Sequence, residues 1–155
     1  MRISDILQHK GRDIVTIAAH DTVHAAIRRL NEHRIGALVV LDADGGLAGI
    51  ISERDILREC GERCVAASQS PGSGEDACPA VVGDLMTTDL VIGLPSDSLG
   101  YVMGIMTKNR IRHLPVLDDG ALVGIISIGD VVNAHVEAKE FENRQLRDYI
   151  QGVTY

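Results

Sequence analysis

Two short stretches of this chain place a hydroxyl three residues before a carboxylate, each directly after an apolar run. They are Gly49-Ile50-Ile51-Ser52-Glu53-Arg54-Asp55 and Gly124-Ile125-Ile126-Ser127-Ile128-Gly129-Asp130. The plain reading needs only secondary structure. A buried strand ends, Ser52 or Ser127 caps a new helix, and Asp55 or Asp130 reaches back from the third helical position in a capping-box-like S-x-x-D. The sharper reading is a ligand site. A strand feeding a helix leaves free N–H groups and a positive helix end beside a cleft. A carboxylate there can accept both hydrogen bonds of a ribose diol, as the acidic residue of a dinucleotide fold does. The pattern is short and common, and matched caps would repeat as readily as matched sites, so this spacing leaves both readings open.

The two stretches lie 75 residues apart, and the residues before them repeat as well. Arg34-Ile35-Gly36-Ala37-Leu38-Val39-Val40-Leu41-Asp42 aligns with Arg110-Ile111-Arg112-His113-Leu114-Pro115-Val116-Leu117-Asp118. This period is too long for a solenoid unit and suits a small domain-like half.

The elements that must position these residues follow from the apolar pattern. Ile3 to Gln8 is expected as a short helix and Ile14 to Ile17 as a short strand. A helix follows from Asp21 or Thr22, with Val23, Ala26, Ile27 and Leu30 inward and His24, Arg28, Arg29 and Glu32 solvated. Ala37–Leu41 and Leu47–Ile51 read as strands joined by a turn at Asp42–Gly46. Glu53 to about Glu62 reads as a helix with Ile56, Leu57 and Cys60 inward. The half is β-α-β-β-α. Val82 to Thr87 echoes the first helix, and Val91 and Ile92 match the first strand. Leu99, Val102, Met103 and Met106 repeat the helical stripe, with the methionines read as core. Strands at Leu114–Leu117 and Leu122–Ile126 precede a helix with Val131, Val132, His135 and Val136 inward, running on through Arg147. The fold class is α/β, of the α+β type. The expected division is a first repeat at 1–67, a polar linker at 68–80 and a second repeat at 81–155.

Composition narrows the function classes. The chain has 155 residues, 45% of them hydrophobic, which suits one domain or two small halves sharing a core. Aromatic residues make up 3%, with no Trp and only Phe141 as Phe, so base stacking on single strands has little to work with. A net charge of −7 opposes a nucleic-acid backbone. No run approaches a membrane span and the N-terminus has no signal-peptide core, so the cytoplasm is the expected location. Cys60, Cys64 and Cys78 are an odd number, against a secreted disulfide framework. They lack the further ligands a structural zinc needs. His9, His20, His24, His33, His113 and His135 have no Cys or Ser partner in a recognisable nucleophile–base motif, so no catalytic residue and no catalytic cofactor is expected.

Two β-α-β-β-α halves, each ending in Gly-apolar-apolar-Ser-x-x-Asp, resemble tandem CBS (cystathionine beta-synthase) domains, a Bateman module. The resemblance runs from about Ile3 to about Glu140. Arg112-His113-Leu114-Pro115-Val116-Leu117-Asp118 is similar to the family's strand motif, and Ser52-Glu53-Arg54-Asp55-Ile56-Leu57 and Val82-Gly83-Asp84-Leu85-Met86-Thr87 to its other signatures. The resemblance implies two repeats about a pseudo-twofold axis, clefts for AMP, ADP, ATP, NAD or S-adenosylmethionine, and regulation without chemistry. Asp55 and Asp130 would hold riboses, with Ser52 and Ser127 near phosphates or capping. Thr16-Ile17-Ala18 and Val91-Ile92-Gly93 would flank adenine, and Arg54, Arg112 and His113 would meet phosphates, with Pro115 in the same strand motif.

The halves also differ. Gly36 and Ala37 stand where the second half has Arg112 and His113, and Gly129 stands where the first has Arg54, so the two sites are expected to be inequivalent. The resemblance implies a regulatory sensor of adenosine ligands, forming a homodimer and signalling to a separate partner, with neither nucleic acid nor membrane as its target. The competing reading is a structural or interaction module with vestigial clefts.

Overall fold

The computed structural model describes residues 1–11, 13–68, 80–150 and 152, with backbone only for 63–68. The element order is α1 (Ile3–Lys10), β1 (Thr16–Ala18), α2 (Val23–His33), β2 (Ala37–Leu41), β3 (Leu47–Ser52), α3 (Glu53–Ser68), α4 (Val82–Leu85), α5 (Leu99–Asn109), β4 (His113–Asp118), β5 (Ala121–Ser127) and α6 (Ile128–Ile150). They form two compact units, Ile14–Leu90 and Met1–Asp13 with Val91–Tyr155. The expected linker falls, from residue 69 to residue 79, outside the described residues, as does Cys78.

In the Ile14–Leu90 unit the sheet order is β1-β2-β3, with β1 parallel and β3 antiparallel to β2. The core gathers Ile17, Val23, Leu30, Leu38 and Ile51 around α2 and the sheet. Thr22 caps α2 by accepting the Ala25 N–H at 3.1 Å, and Arg34 ends it in the left-handed region at φ 53°. The segment after α4 pairs with the outer edge of β3 through two bonds between Ile50 and Thr87.

The other unit repeats this plan. Ser98 caps α5 by accepting from Tyr101 N–H, and Arg110 ends it at φ 54°. A register shift between Val116 and Leu117 matches the one between Val40 and Leu41. The arginines at the two turns therefore share a structural role: each holds a left-handed residue that closes a helix.

The first helix belongs by sequence to the first repeat and packs in the unit of the second: Ile3, Ile6 and Leu7 join the core of Val102, Leu114 and Ile126. Its apolar stripe is complementary to whichever core is open to it, a long-range choice that no local pattern contains. Several other expectations need correction. The strand expected at Val91–Ile92 is reduced to one parallel bridge, Gly93 to Val116. In the first repeat the ladder includes Val39 N–H donating to Val15 O at 3.3 Å. The residue in register with Val39 is Pro115, which has no N–H to give.

Leu57 is 71% exposed and Cys60 is exposed, although Ile56 is buried; Val132 and Val136 are exposed, although Val131 is buried. Ile27 is also on the surface. Arg29, expected in solvent, is half-buried and donates to Thr16 O.

One glycine in β3 is sterically required. A Cβ on Gly49 would stand 2.8 Å from both Met86 Sδ and the carbonyl oxygen of Thr87, and that carbonyl is held by Ile50 N–H. Gly104, in α5, has nothing within 4 Å of its Cβ position. Gly49→Ala is therefore expected to destabilise by about 1–3 kcal/mol, and Gly104→Ala to stabilise by about 1 kcal/mol. Urea unfolding midpoints on either side of wild type check this; midpoints moving in the reverse order would refute the packing at β3.

Candidate functional site

Both Ser-x-x-Asp stretches fold into reciprocal caps. Asp55 Oδ2 accepts from Ser52 N–H at 2.9 Å and from Ser52 Oγ at 2.6 Å, and Ser52 Oγ accepts from Asp55 N–H at 3.4 Å. Asp130 Oδ2 accepts from Ser127 N–H at 2.7 Å and from Ser127 Oγ at 2.8 Å, with the return bond at 3.2 Å. The first helical N–H is also taken: Glu53 donates to Gly36 O and Ile128 to Arg112 O. The second helical N–H, of Arg54 and of Gly129, has no partner among the described hydrogen bonds. These are orphan donors of the kind that bind anions at a helix start.

The capping reading is thus real, and it does not exclude the other. At Asp130 the described donors all fall on Oδ2, leaving Oδ1 to accept. The aspartates differ in their cationic neighbours. Asp55 is buried and pairs through Oδ1 with Arg58 of its own helix at 3.2 Å. Asp130 pairs with Lys10, which arrives from the C-terminal end of α1 and puts Nζ 2.6 Å from Oδ2 and 3.1 Å from Ile125 O. Lys10 and Asp130 line a cleft of about 150 Å³ between α1 and α6, with Asp5, His9, Asn133 and Glu137.

The other expected residues sort by register. His113 opens β4 opposite Ser127, and Arg112, exposed, sits just before the strand with its carbonyl on the first turn of α6. Arg112, His113, Ser127 and Asp130 therefore meet at one strand-to-helix corner. The matching corner of the other unit holds Gly36, Ala37, Ser52 and Asp55, with Arg54 exposed at the helix start. Ala18 is not at that corner: it pairs with Leu41, at the far end of β2 from Ala37 and Ser52, about 13 Å along the strand.

Alternation decides which edge residues can touch a ligand. Ile17 is buried in the core, so its side chain offers no surface to a base; Thr16 and Ala18 are half-buried on the other face. In the second repeat Gly93 is buried and has no side chain, Val91 is half-buried, and Ile92 is 40% exposed. Pro115 is buried, and its carbonyl accepts from Gly93 N–H at 2.9 Å.

Sequence reasoning missed four contributors. Asp21 accepts from Ala18 N–H and Asp97 from Leu94 N–H, a repeated pair that the alignment of the halves contains. Arg58, three residues after Asp55, was readable from helical spacing. Lys10 lies 120 residues from its partner, and no local signal marks it. Among the described residues no group of three or more His, Cys, Asp or Glu is placed to hold a metal.

Burial pushes the Asp130 carboxyl up, but hydrogen bonds from Lys10 and Ser127, together with the charge of Lys10, outweigh it and hold the group below the usual carboxylate range. A folded pKa below the unfolded one means stability that is present above the unfolded value, about 3.9 for Asp. It is lost as pH falls from there through the folded value. Asp130→Asn is expected to flatten that acid loss, measured by urea unfolding from pH 5 to pH 2. An unchanged slope would mean that the Lys10 contact is not held in solution.

A profile of the CBS domain family matches residues 3–62 and 82–137. The CBS domain-containing protein CBSX3, mitochondrial, of Arabidopsis thaliana is 38% identical, across 97% of this chain and 72% of that one. The CBS-domain protein ATU1752 of Agrobacterium tumefaciens superposes with a TM-score of 0.73 at 39% identity, across 86% of this chain and 92% of that one. CBSX2, solved in complex with AMP, superposes at 0.68 with 28% identity, across 89% and 98%. With the family pattern matched in both repeats, this chain belongs to the CBS domain family and carries two copies of the domain.

Proposed function

We propose that this protein is a regulatory module that binds an adenosine ligand such as AMP, ADP, ATP or NAD and passes the signal to a separate protein, performing no chemistry itself. The observation that carries this reading is the pair of strand-to-helix corners, each built with the same Ser–Asp exchange and each leaving a helix-start N–H unspent. Asp55 and Asp130 accept the ribose hydroxyls. The N–H groups at the helix starts, with Arg54 at one corner and Arg112 and His113 at the other, meet phosphates. The AMP held by CBSX2 supports this ligand class.

The two corners are unequal in what they offer. At the first, Thr16 O is already engaged by Arg29 and Asp55 is bracketed by Arg58. At the second, Ile92 presents an exposed aliphatic surface at the edge, suited to one face of a base in a chain with few aromatics, and Arg112 supplies paired donors for a phosphate. The second corner is therefore the stronger site.

The proposal includes a homodimer and a cytoplasmic location. Val132, Val136, Leu146 and Ile150 are exposed and fall on one side of α6 at 100° per residue, a stripe that a second copy of the chain would cover. The exposed thiol of Cys60 fits a reducing compartment. A monomer by light scattering at micromolar concentration would remove the dimer.

Ligand binding is read most simply by melting. A ligand at about a hundred times its dissociation constant adds about 2.7 kcal/mol, enough to raise the melting temperature by several degrees. AMP, ATP and NAD are each to be titrated. Asp130→Asn is expected to remove most of the response and Asp55→Asn a smaller part. Both free chains stay folded because the amide oxygen still accepts from the serine N–H, with Asp130→Asn melting below wild type for want of the Lys10 ion pair, so each response is read against the variant's own ligand-free curve. Flat curves with all three nucleotides would leave the interaction module as the reading.

A further inference from the structure

Among the described residues the Lys10–Asp130 contact has no equivalent in the other unit. Aligning α1 with α4 through Asp5 and Asp84 puts Asp89 in register with Lys10. The aligned residue carries the opposite charge and lies beyond the end of α4, and Asp55 takes its cation from its own helix instead. Lys10 is held at both ends of its reach. Its helix stops at Gly11, whose φ of 89° turns the chain away, and its Nζ spans Ile125 O and Asp130 Oδ2 across the mouth of the α1–α6 cleft. Neither side chain of the pair is fully buried, with 38% exposure for Lys10 and 23% for Asp130. The ammonium can therefore leave without a charge being stranded in the core.

From this geometry, and resting on the reading of Asp130 as the ribose acceptor, we infer that Lys10 is a specificity-determining residue that occupies the ribose carboxylate in the free protein and moves to the ligand's phosphate in the bound one. A neutral nucleoside can place one hydroxyl on the open Oδ1 of Asp130, but the second hydroxyl of its diol meets Lys10 at Oδ2, competes there with a charge-assisted hydrogen bond and returns nothing to the displaced ammonium. A phosphorylated ligand carries an anion within one nucleoside's length of its ribose. The four-carbon stem of lysine can swing to it as a mobile point charge, which a planar guanidinium fixed by paired bonds does less readily. Lys10 thus penalises adenosine and rewards AMP at one site with one group.

The test is calorimetry of adenosine and AMP on the full chain carrying Asp55→Asn, which leaves Asp130 as the acidic acceptor, with and without Lys10→Met. The readout is the ratio of the two dissociation constants. Removing Lys10 is expected to tighten adenosine and to shrink the preference for AMP by about tenfold or more, the scale of one charge-assisted bond gained and one lost. Lys10→Gln, nearly isosteric and neutral, is expected to behave the same way and serves if the methionine variant folds poorly. Lys10→Arg is expected to keep most of the preference.

An unchanged ratio in both neutral variants, or equal weakening of adenosine and AMP, overturns the inference while leaving Asp130 as a ribose site. If the parent chain binds neither compound and the Lys10 variants bind neither, the nucleotide reading falls and the inference with it. Adenosine binding that appears only when Lys10 is neutral supports it.

Discussion

A strand that runs directly into a helix creates two unsatisfied ends at one point. The last strand residue keeps an N–H outside the ladder, and the first helical turn has donors without carbonyls to receive them. Here one carboxylate and one hydroxyl resolve both, and they do so twice. Asp55 accepts the Ser52 N–H and hydroxyl while the hydroxyl accepts the Asp55 N–H; Asp130 and Ser127 repeat the exchange. The exchange also fixes how each helix is rotated about its axis. With the aspartate turned back toward the strand, the next residue must face the core and the one after it must face out. Ile56 and Val131 are buried, and Leu57 and Val132 are exposed. The capping geometry and the burial of Ile56, Val131 and Ala134 select the same rotation of α3 and α6.

This explains what was legible in the sequence and what was not. The repeat, the paired strands, the shared turns and the serine caps are local and periodic, and they were readable from residue types alone. Leu57, Cys60, Val132 and Val136 were misassigned because an apolar pattern over one helical turn is compatible with more than one rotation, and the cap that agrees with the observed one is polar. The missing strand at Val91–Ile92 was signalled by Pro115, whose absent donor lies on the partner strand and not in the segment itself. The placement of α1 with the second repeat's core was beyond local reasoning, because Ile3, Ile6 and Leu7 carry a stripe that any open apolar face would accept.

The candidate site shows the same division. Ser52, Asp55, Ser127 and Asp130 were legible because both members of each pair lie within four residues of each other. Arg112 and His113 were legible as a basic edge, and the structure resolves how they share a corner: His113 begins the strand and Arg112 stands before it, free of the strand's alternation. Lys10 could not be found by spacing, yet it makes the one cross-element ion pair at Asp130 among the described residues. The two corners are thus alike in what the repeat wrote twice and unlike in what single residues add: Arg29 and Arg58 at one, Lys10, Ile92 and Arg112 at the other.

The central claim is that a cap and a ribose acceptor are the same carboxylate. A crystal structure of this protein grown with AMP tests it most directly. The expected result is a ribose hydroxyl at about 2.5–3.0 Å from the carboxylate of Asp130, with the Ser127–Asp130 exchange intact. AMP bound away from both Asp130 and Asp55 would contradict it, and would return both aspartates to a purely structural role.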